Sequence, residues 1–327
     1  MHAGKTNNTD LDAIYRPVAA EMRAFEQGLS ECLRPASQFV GELVAHAMSA
    51  AGKRLRPALL FLSGRAAGKV TEAHIQFALA VEAIHAATLV HDDILDEASL
   101  RRSRPTMNVL WGNEASVLFG DYLFTHAFQI ASSAGEKRAL EIIAAAAVEV
   151  CEGELLQIAE RGNLRLSEER YREIVAKKTA VLCESACRLG AVLAGADAAT
   201  ERSLSAYGRG IGVAFQIVDD CLDLTGDEHE VGKSLGTDLQ KGKYTLPIIH
   251  FLRADGKAAD LVKRAAEDGS RLGELRDALV GSGSMEYALS AAREQIEGAK
   301  ASVAAVVTRE IRASLEKLAD YVIARRK

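Results

Sequence analysis

The chain has 327 residues, of which 48% are hydrophobic and 26% are charged, enough for a sizeable core and a well-solvated surface. Its 40 basic and 45 acidic residues give a net charge of −5, which excludes nucleic-acid binding through a generally basic surface. The five cysteines include no Cys-x-x-Cys pair, so we expect reduced thiols rather than a disulfide framework or a zinc site: Cys32, Cys151, Cys183, Cys187 and Cys221.

Targeting and membrane signals are missing from the sequence. Residues 1–9 are polar and lack the apolar core of a signal peptide. No run approaches the roughly 20 apolar residues that span a bilayer. We therefore expect a cytoplasmic protein that does not span a membrane.

Helical periodicity dominates the pattern. Apolar residues recur at helical spacing almost everywhere, whereas the alternating pattern of strands is nearly absent. Only 5 prolines occur, and no repeat of fixed period is present. We predict an all-α fold of roughly a dozen helices, with a flexible tail over residues 1–9 and a single helical domain over residues 10–327.

The first half of the chain carries two charged segments. Gly52-Lys53-Arg54-Leu55-Arg56-Pro57 places three cations at a predicted helix start, where a proline suits the first turn. A second helix, over about residues 71–97, has apolar residues on all sides, which is typical of a core helix. It ends in Asp92-Asp93-Ile94-Leu95-Asp96, and Arg101-Arg102 follows after a short loop.

The second half repeats this arrangement. Lys177-Lys178-Thr179 precedes another core helix, over about residues 203–224, which ends in Asp219-Asp220-Cys221-Leu222-Asp223. The stretch from Thr225 to Pro247 interleaves four glycines with lysines, which predicts a mobile basic lid rather than a stable helix. We expect Arg325-Arg326-Lys327 to form a solvated tail; the alternative is that they reach a diphosphate.

Six carboxylates at the ends of two buried helices call for cations. On a helix, Asp92 and Asp96 lie one turn apart on a shared face, and Asp219 and Asp223 repeat this spacing. Buried like charges cost several kcal/mol per ion unless they are neutralised. Mg²⁺ suits such a site because it binds through one or two carboxylates, completed by waters and substrate phosphates. We predict several Mg²⁺ ions around one diphosphate, with arginine and lysine side chains holding a second diphosphate.

With these motifs in this order, the chain resembles the trans-prenyltransferases, the isoprenyl diphosphate synthase family, and within it the long-chain octaprenyl type. The single small departure is Ala51, where a second glycine often precedes the Gly-Lys-Arg sequence. The matching motifs span most of the chain: Gly52-Lys53-Arg54-x-Arg56-Pro57, Asp92-Asp93-x-x-Asp96 with Arg101-Arg102, Lys178-Thr179, Phe215-Gln216-x-x-Asp219-Asp220-x-x-Asp223, and Gly232-Lys233-x-x-Gly236-x-Asp238-x-x-x-Gly242-Lys243-x-Thr245-x-Pro247.

The resemblance implies a helical bundle of isoprenoid synthase type around a deep central cavity, a homodimer, and aspartate motifs that face each other at the cavity mouth. Asp92, Asp96 and Asp219 would ligate Mg²⁺ on the allylic diphosphate. The resemblance implies a supporting role for Asp93, Asp220 and Asp223. Further contacts to the allylic diphosphate are implied for Arg101, Lys178, Thr179, Gln216, Lys233 and Lys243. Contacts to isopentenyl diphosphate are implied for Lys53, Arg56, His85 and Arg102. His91 is expected to be structural.

The implied reaction follows from charge. Mg²⁺ and the cations would stabilise the departing diphosphate and leave an allylic carbocation in a site that excludes water. The double bond of isopentenyl diphosphate then attacks, and a proton is lost to the released diphosphate. No side-chain general base is needed.

Product length is predicted from the residues one turn before the first aspartates. In the family, bulky aromatics at the positions of Ala87 and Thr88 stop growth at short products. Both residues are small here, so we expect the growing tail to pass them. Phe124 and Phe128 share one face of the next helix and are either core aromatics or, for Phe128, a floor further down. The prediction is a C35–C50 product; the alternative is a synthase that stops at C20 geranylgeranyl diphosphate.

Three other functions are disfavoured by the motifs. A terpene cyclase would not need the cations of residues 52–57 and usually has an Asn/Ser/Glu metal motif in place of the second aspartate motif. A non-catalytic partner subunit would be expected to have lost aspartates, and all six are present. A nucleotide-binding loop at Gly232-Lys233-Ser234 lacks the required earlier glycine, because residue 227 is Asp.

Overall fold

The computed structural model describes residues 6–32, 37–49, 52–225, 235–254, 258–305 and 308–325. Its elements in chain order are α1 (Thr6–Tyr15), α2 (Ala19–Cys32), α3 (Gln38–Ser49), α4 (Leu55–Ala67), α5 (Glu72–Leu95), β1 (Leu100–Arg101), β2 (Arg104–Pro105), α6 (Met107–Ser133), α7 (Lys137–Ala159), α8 (Glu168–Val175), α9 (Val181–Leu193), α10 (Ala198–Thr225), α11 (Thr237–Gln240), α12 (Leu246–Ala254), α13 (Ala258–Glu267), α14 (Leu272–Gly281), α15 (Ser284–Val303) and α16 (Arg309–Ala324).

The predicted all-α class is confirmed. Among the described residues, the only strands are β1 and β2, which pair antiparallel over two residues each. A π-helical turn over Ala176–Ala180 joins α8 to α9. Such turns interrupt the regular bond pattern of a helix and occur frequently at functional sites.

Helices α5 and α10 are core helices, as their all-round apolar pattern predicts. Phe77, Val81 and Ile84 of α5 are completely buried. Thr71 caps α5 through a reciprocal pair of bonds with His74, which satisfies two backbone N–H groups at the helix start. The aspartates therefore come at the C-terminal ends of two buried helices.

Helix α5 corrects one expectation from the sequence. The sequence pattern predicts no run long enough to cross a membrane, yet the helix over Glu72–Leu95 is long and apolar enough to do so. The most apolar part of the helix is 61% buried within the protein, which is the pattern of a core helix. Length and composition alone are therefore weak grounds for a membrane span here.

Two compact units can be distinguished in the chain. The first comprises Met1–Ala147, Leu182–Gly208 and Lys300–Leu318 and includes α5 with the first aspartate motif (Asp92, Asp93 and Asp96). The second comprises Val148–Val181, Arg209–Ala299 and Ala319–Lys327 and includes the second aspartate motif (Asp219, Asp220 and Asp223). A single domain over residues 10–327 and a deep central cavity stay predictions.

Two predicted flexible segments lie partly outside the described residues. Of the proposed tail over residues 1–9, residues 1–5 lie outside, and α1 begins at Thr6. Of the proposed lid over residues 225–247, residues 226–234 lie outside, Lys233 among them. The remainder of this segment includes one short helix, α11, which the glycine-based prediction did not anticipate.

Candidate active site

The first aspartate motif lies at the C-terminal end of α5. Asp92 and Asp93 occupy the last turn, and Asp96 is the C-cap residue, whose N–H donates to the Asp92 carbonyl at 2.8 Å. A helix C-terminus carries a partial negative charge of about half a unit. Three carboxylates at this end make it a strong attractor for cations.

Arg101 of the β1–β2 hairpin supplies one such cation. Its Nε and Nη2 atoms both lie 2.8 Å from Asp93 Oδ1. Burial raises the pKa of Asp93, although the bonds from Arg101 oppose this shift. Burial in turn works against the charge of Arg101, but the bond with Asp93 and the charges of Asp92 and Asp96 raise its pKa overall. The middle aspartate of the motif thus positions the hairpin arginine.

His85 lies about two helical turns before the first aspartate motif on the same helix, near a group of arginines. Burial, followed by the positive charges of the arginines, lowers the pKa of His85 well below its ordinary value. His85 is therefore neutral at pH 7 in a strongly electropositive setting. The contributing residues are Arg56, Arg101, Arg102 and Arg54.

The cations of the α4 start divide into two kinds. Arg54 is committed to the fold: Nε donates to Glu26 and Nη1 to Glu82, each at 2.8 Å. Arg56 differs, because its buried Nε has no hydrogen-bond partner in the described part of the chain. A buried N–H that lacks a partner costs on the order of 1–3 kcal/mol, so this atom is suited to an anionic ligand.

The β1–β2 hairpin and the segment that precedes α4 approach each other closely at Gly52. A Cβ atom at this position would lie 2.8 Å from Arg102 Nη2 and 2.9 Å from Nη1. Lys53 follows directly, and its carbonyl accepts a bond from the Tyr15 hydroxyl at 2.9 Å. Lys53, Arg56, His85 and Arg102, which the sequence predicted to bind one diphosphate, are therefore supplied by neighbouring segments of the first unit.

The second aspartate motif, at the end of α10, is held by its own unit. Asp220 is buried and accepts bonds from the Tyr171 hydroxyl at 2.6 Å and from Gln216 Nε2 at 2.7 Å. Burial and the charge of Asp238 raise the pKa of Asp220 to about 8, although both donors lower it. Asp223 accepts from the Thr237 hydroxyl at 3.1 Å and from the Asp238 N–H at 3.2 Å.

The π-helical turn presents Lys178 and Thr179 in the same unit. Lys178 Nζ donates to Gln157 Oε1 at 2.8 Å and forms an ion pair with Glu154. The Thr179 hydroxyl donates to Gln216 Oε1 at 2.8 Å, and Gln216 in turn donates to Asp220. The structure thus joins the predicted residues Thr179, Gln216 and Asp220 in one chain of hydrogen bonds.

Sequence reasoning missed several partners in this network. Tyr171, Glu154 and Gln157 were not identified, although Glu154 and Gln157 are polar residues at helical spacing. The solvated-tail prediction is wrong for Arg325: its side chain is only 3% exposed and pairs with Asp219 Oδ1 at 2.7 Å. Arg326 and Lys327 lie outside the described residues.

The remaining lid residue is Lys243. Its side chain is buried, with Nζ 3.9 Å from Asp238 Oδ1. This places a cation near the end of the second aspartate motif, since the Asp238 N–H is bonded to Asp223. Contacts of Lys243 and Lys233 with substrate stay predictions.

The predicted product-length residues lie on α5 and α6. Ala87 is fully buried in a cluster that includes Phe119 and Leu123, and Phe124 packs against this cluster. The Thr88 hydroxyl donates to the His85 carbonyl at 2.7 Å, so it is satisfied within its own helix. Phe128 is half-buried. A tail running past these residues stays a prediction.

His91 has structural contacts, as expected. Its ring stacks on Phe124 with centroids 6.2 Å apart, and Nε2 lies 3.2 Å from the Val117 carbonyl. Gly120 makes room for it, because a Cβ there would come within 2.1 Å of the ring. The histidine therefore packs α5 against α6.

The donors fit a divalent metal that is only partly held by protein. Within the described ranges, no three His, Cys, Asp or Glu side chains gather closely enough to form a complete metal cage. Mg²⁺ does not need one, since it is usually bound through one or two carboxylates plus waters and substrate phosphates. Asp219 also has a cation at its carboxylate, the Arg325 guanidinium. The carboxylates therefore suit a metal whose remaining ligands are waters or phosphate oxygens.

Comparisons with known proteins agree with this chemistry. Residues 37–279 match the polyprenyl synthetase family model. The octaprenyl diphosphate synthase of Escherichia coli is 35% identical over 97% of this chain and 99% of its own length. The geranylgeranyl diphosphate synthase of Methanosarcina mazei is 36% identical over 85% of this chain and 87% of its own. A solved polyprenyl synthase from Caulobacter crescentus, complexed with calcium and isoprenyl diphosphate, has a TM-score of 0.93 and 36% identity over 97% of this chain and 98% of its own.

Proposed function

Because this chain belongs to the polyprenyl synthetase family and is a trans-prenyltransferase, we propose that it extends an allylic prenyl diphosphate with isopentenyl diphosphate in a Mg²⁺-dependent reaction. The observation that carries this proposal is that the first aspartate motif lies in the same unit as the cations Arg56, Arg101 and Arg102, of which Arg101 bonds directly to Asp93. An anion site and a cation-attracting carboxylate cluster are the two features that diphosphate chemistry needs.

Isopentenyl diphosphate would be bound by Lys53, Arg56, His85 and Arg102. The buried Arg56 Nε without a partner in the described residues supports this assignment, because a phosphate oxygen would satisfy it. Neutral His85 supports it as well, since a ring N–H can donate to phosphate. Arg54 is left out because Glu26 and Glu82 already neutralise it.

The allylic diphosphate would be held through Asp92, Asp96 and Asp219. A bound divalent metal would neutralise the diphosphate and make it a better leaving group. Arg101, Lys178, Lys233 and Lys243 would add positive charge around the same group, and Thr179 and Gln216 would orient it. Asp93, Asp220 and Asp223 would support their motifs, which agrees with the bonds that already engage them.

The reaction would need no side-chain base. The allylic C–O bond breaks and its electron pair leaves with diphosphate, and the double bond of isopentenyl diphosphate then forms the new C–C bond. A proton is lost from the adduct to the released diphosphate, which restores a double bond and an allylic product. The buried apolar residues of α5 would keep water from the intermediate.

The product would be long, in the C35–C50 range of octaprenyl type. Small side chains at Ala87 and Thr88 support this length, as does the E. coli octaprenyl relative. The M. mazei geranylgeranyl relative, at nearly equal identity, supports the C20 alternative. Phe128, half-buried on α6, would set the long-chain limit.

The protein would act in the cytoplasm as a homodimer. The observation that supports self-association is a set of apolar side chains on α6 that are 43–63% exposed in the single chain: Val109, Leu110, Val117 and Leu118. Light scattering of the purified protein tests this, and a monomer would contradict it.

Product analysis tests the function itself. The protein is incubated with Mg²⁺, isopentenyl diphosphate and farnesyl diphosphate, and the dephosphorylated products are sized; a parallel sample contains excess EDTA. A C35–C50 ladder that EDTA abolishes is the expected result. Products that end at C20 would overturn the length, and product formed in EDTA would overturn the metal dependence. No elongation under any condition would favour a non-catalytic partner subunit.

A further inference from the structure

Arg325 makes an unusual contact with the second aspartate motif. One nitrogen, Nη2, donates to Asp219 Oδ1 at 2.7 Å and to the Phe215 carbonyl at 2.6 Å. The guanidinium carbon lies 3.6 Å from the centre of the Phe215 ring, a close cation–π contact. The end of the chain thus holds the first carboxylate of the motif.

The two partners differ sharply in exposure. The Arg325 side chain is 3% exposed, whereas that of Asp219 is 48% exposed. The arginine approaches from the protein side, and the outer part of the carboxylate stays open to solvent. The Nε atom of Arg325 is buried and has no hydrogen-bond partner among the described residues, so the guanidinium is not held by a full set of bonds.

We propose that Arg325 is an internal counterion of Asp219 that competes with the divalent metal. It neutralises the carboxylate in the metal-free protein and is displaced from Oδ1 when the metal binds. This proposal rests on the proposed function, in which Asp219 is a metal ligand. A guanidinium and a metal ion on the same carboxylate oxygen repel each other, so the bond from Arg325 to Oδ1 opposes metal binding there.

The consequence is that Arg325 lowers the affinity of Asp219 for the metal. Breaking the Arg325–Asp219 bond subtracts from the free energy of metal binding, so removal of the arginine tightens binding. The same removal takes away the buried guanidinium with its contacts to Asp219 and the Phe215 ring, which lowers the stability of the metal-free state. Both effects favour metal binding by the variant. The second also lowers the stability of the metal-free protein.

The experiment measures metal binding without turnover. Free Mn²⁺ is followed by electron paramagnetic resonance during titration of the full-length wild type, Arg325→Ala, Arg325→Gln, Asp219→Asn and the Asp219→Asn/Arg325→Gln double variant. Arg276→Ala removes a cation from the exposed side of α14 and is the matched control. Melting temperatures in EDTA show that each variant folds.

We expect the Arg325 variants to bind Mn²⁺ about fivefold more tightly, which corresponds to about 1 kcal/mol, and to melt a few degrees lower in EDTA. Arg276→Ala is expected to match the wild type in affinity. In the Asp219→Asn background, loss of Arg325 is expected to have no further effect, since the two residues form one coupled pair.

The outcomes distinguish a failure of the competition from a failure of Asp219 as a metal ligand. Unchanged or weaker Mn²⁺ binding in both Arg325 variants, together with weakened binding in Asp219→Asn, would overturn the competition while leaving Asp219 as a ligand. Unchanged binding in Asp219→Asn would remove Asp219 from the metal site and overturn both. Hydrogen exchange near residues 318–325 that accelerates when Mn²⁺ and inorganic diphosphate are added supports displacement of Arg325, and exchange that slows contradicts it.

Discussion

At the scale of single residues, identical side chains in one motif have different roles. Arg54 and Arg56 are two positions apart and equally basic in sequence, yet only Arg54 has two glutamate partners. Arg54 also adopts a left-handed backbone conformation with φ 50°, which turns the chain into α4. The sequence could therefore predict a cationic site here, but the division of labour depends on Glu26 and Glu82, which lie 28 residues away on either side.

The first prediction concerns Arg56. Arg56→Gln removes the buried guanidinium whose Nε lacks a partner in the described chain. We expect KM for isopentenyl diphosphate to rise about tenfold or more, equivalent to at least about 1.4 kcal/mol of binding. KM for the allylic substrate is expected to change much less. Steady-state kinetics with each substrate varied in turn measures both values.

The matched control is Lys69→Gln, which removes an exposed cation just beyond the end of α4. Its kinetics are expected to equal those of the wild type. If Arg56→Gln raised KM for both substrates equally, or if Lys69→Gln had the same effect, general electrostatic attraction would replace the specific site.

A second prediction at this scale concerns product length. Ala87 is fully buried in a cluster with Phe119 and Leu123, so Ala87→Phe crowds this cluster and narrows the predicted tail path. Such overpacking typically costs about 1–3 kcal/mol in stability. We expect the variant to give shorter products, and Phe128→Ala to give longer ones, in a sized product ladder. Melting temperatures establish that both variants fold, and an unchanged ladder in the folded Ala87→Phe variant would remove Ala87 from the tail path.

At the scale of elements, the π-helical turn was not predictable from local sequence. Lys177-Lys178-Thr179 identifies a charged segment, but nothing in it indicates a widened turn that packs closely against α7. A Cβ atom at Gly153 would lie 2.4 Å from the Lys178 backbone nitrogen and 2.9 Å from the Lys177 carbonyl carbon. Only glycine permits this close approach, which in turn brings Glu154 and Gln157 to Lys178.

The corresponding prediction is that Gly153→Ala displaces α7 from the π-helical turn. The obstructing atoms are backbone, so the cost is expected at about 1–3 kcal/mol of stability. Because Lys178 and Thr179 move with the turn, kcat is expected to fall severalfold at saturating substrate. Chemical denaturation and steady-state kinetics measure the two effects.

Gly298→Ala is the matched control, since an added Cβ there has no described atom within 4 Å inside α15. It is expected to keep full activity and to gain up to about 1 kcal/mol from better helix propensity. A Gly153→Ala variant that behaved like Gly298→Ala would show that the close approach has no functional role.

At the scale of the whole molecule, the fold class and the family motifs were predictable because both follow from local patterns. Helical periodicity marks α5 and α10, and the aspartates end both helices as expected. The contacts that complete the site were not predictable, because they join distant segments: Tyr171 with Asp220 over 49 residues, and Arg325 with Asp219 over 106. A single sequence specifies which helices are buried more clearly than which side chains meet at their ends.

Global stability is expected to depend on pH through buried histidines. His74 is fully buried; its Nδ1 accepts from the Thr71 N–H at 3.0 Å, and Nε2 lies 3.2 Å from the Gly190 carbonyl. The ring is therefore neutral with its proton on Nε2. Burial lowers the pKa of His74, although the bond to Gly190 opposes the shift. Burial and the surrounding arginines lower the pKa of His85 still further.

The sign of the effect follows from proton counting. Below the ordinary histidine pKa of about 6.5, the unfolded chain takes up protons that the folded protein does not. Stability is therefore fully present above about pH 6.5 and is lost as the pH falls below it, by up to about 1.4 kcal/mol per pH unit for each histidine. The glutamine of His74→Gln cannot titrate. Between about pH 5 and 6.5, the unfolding free energy of this variant is therefore expected to change less steeply with pH, by up to about 1.4 kcal/mol per pH unit. Urea titrations at several pH values measure this slope. Between pH 7 and 8 the wild type and the variant are expected to run parallel, and equal slopes below pH 6.5 would show that His74 is charged in the folded protein.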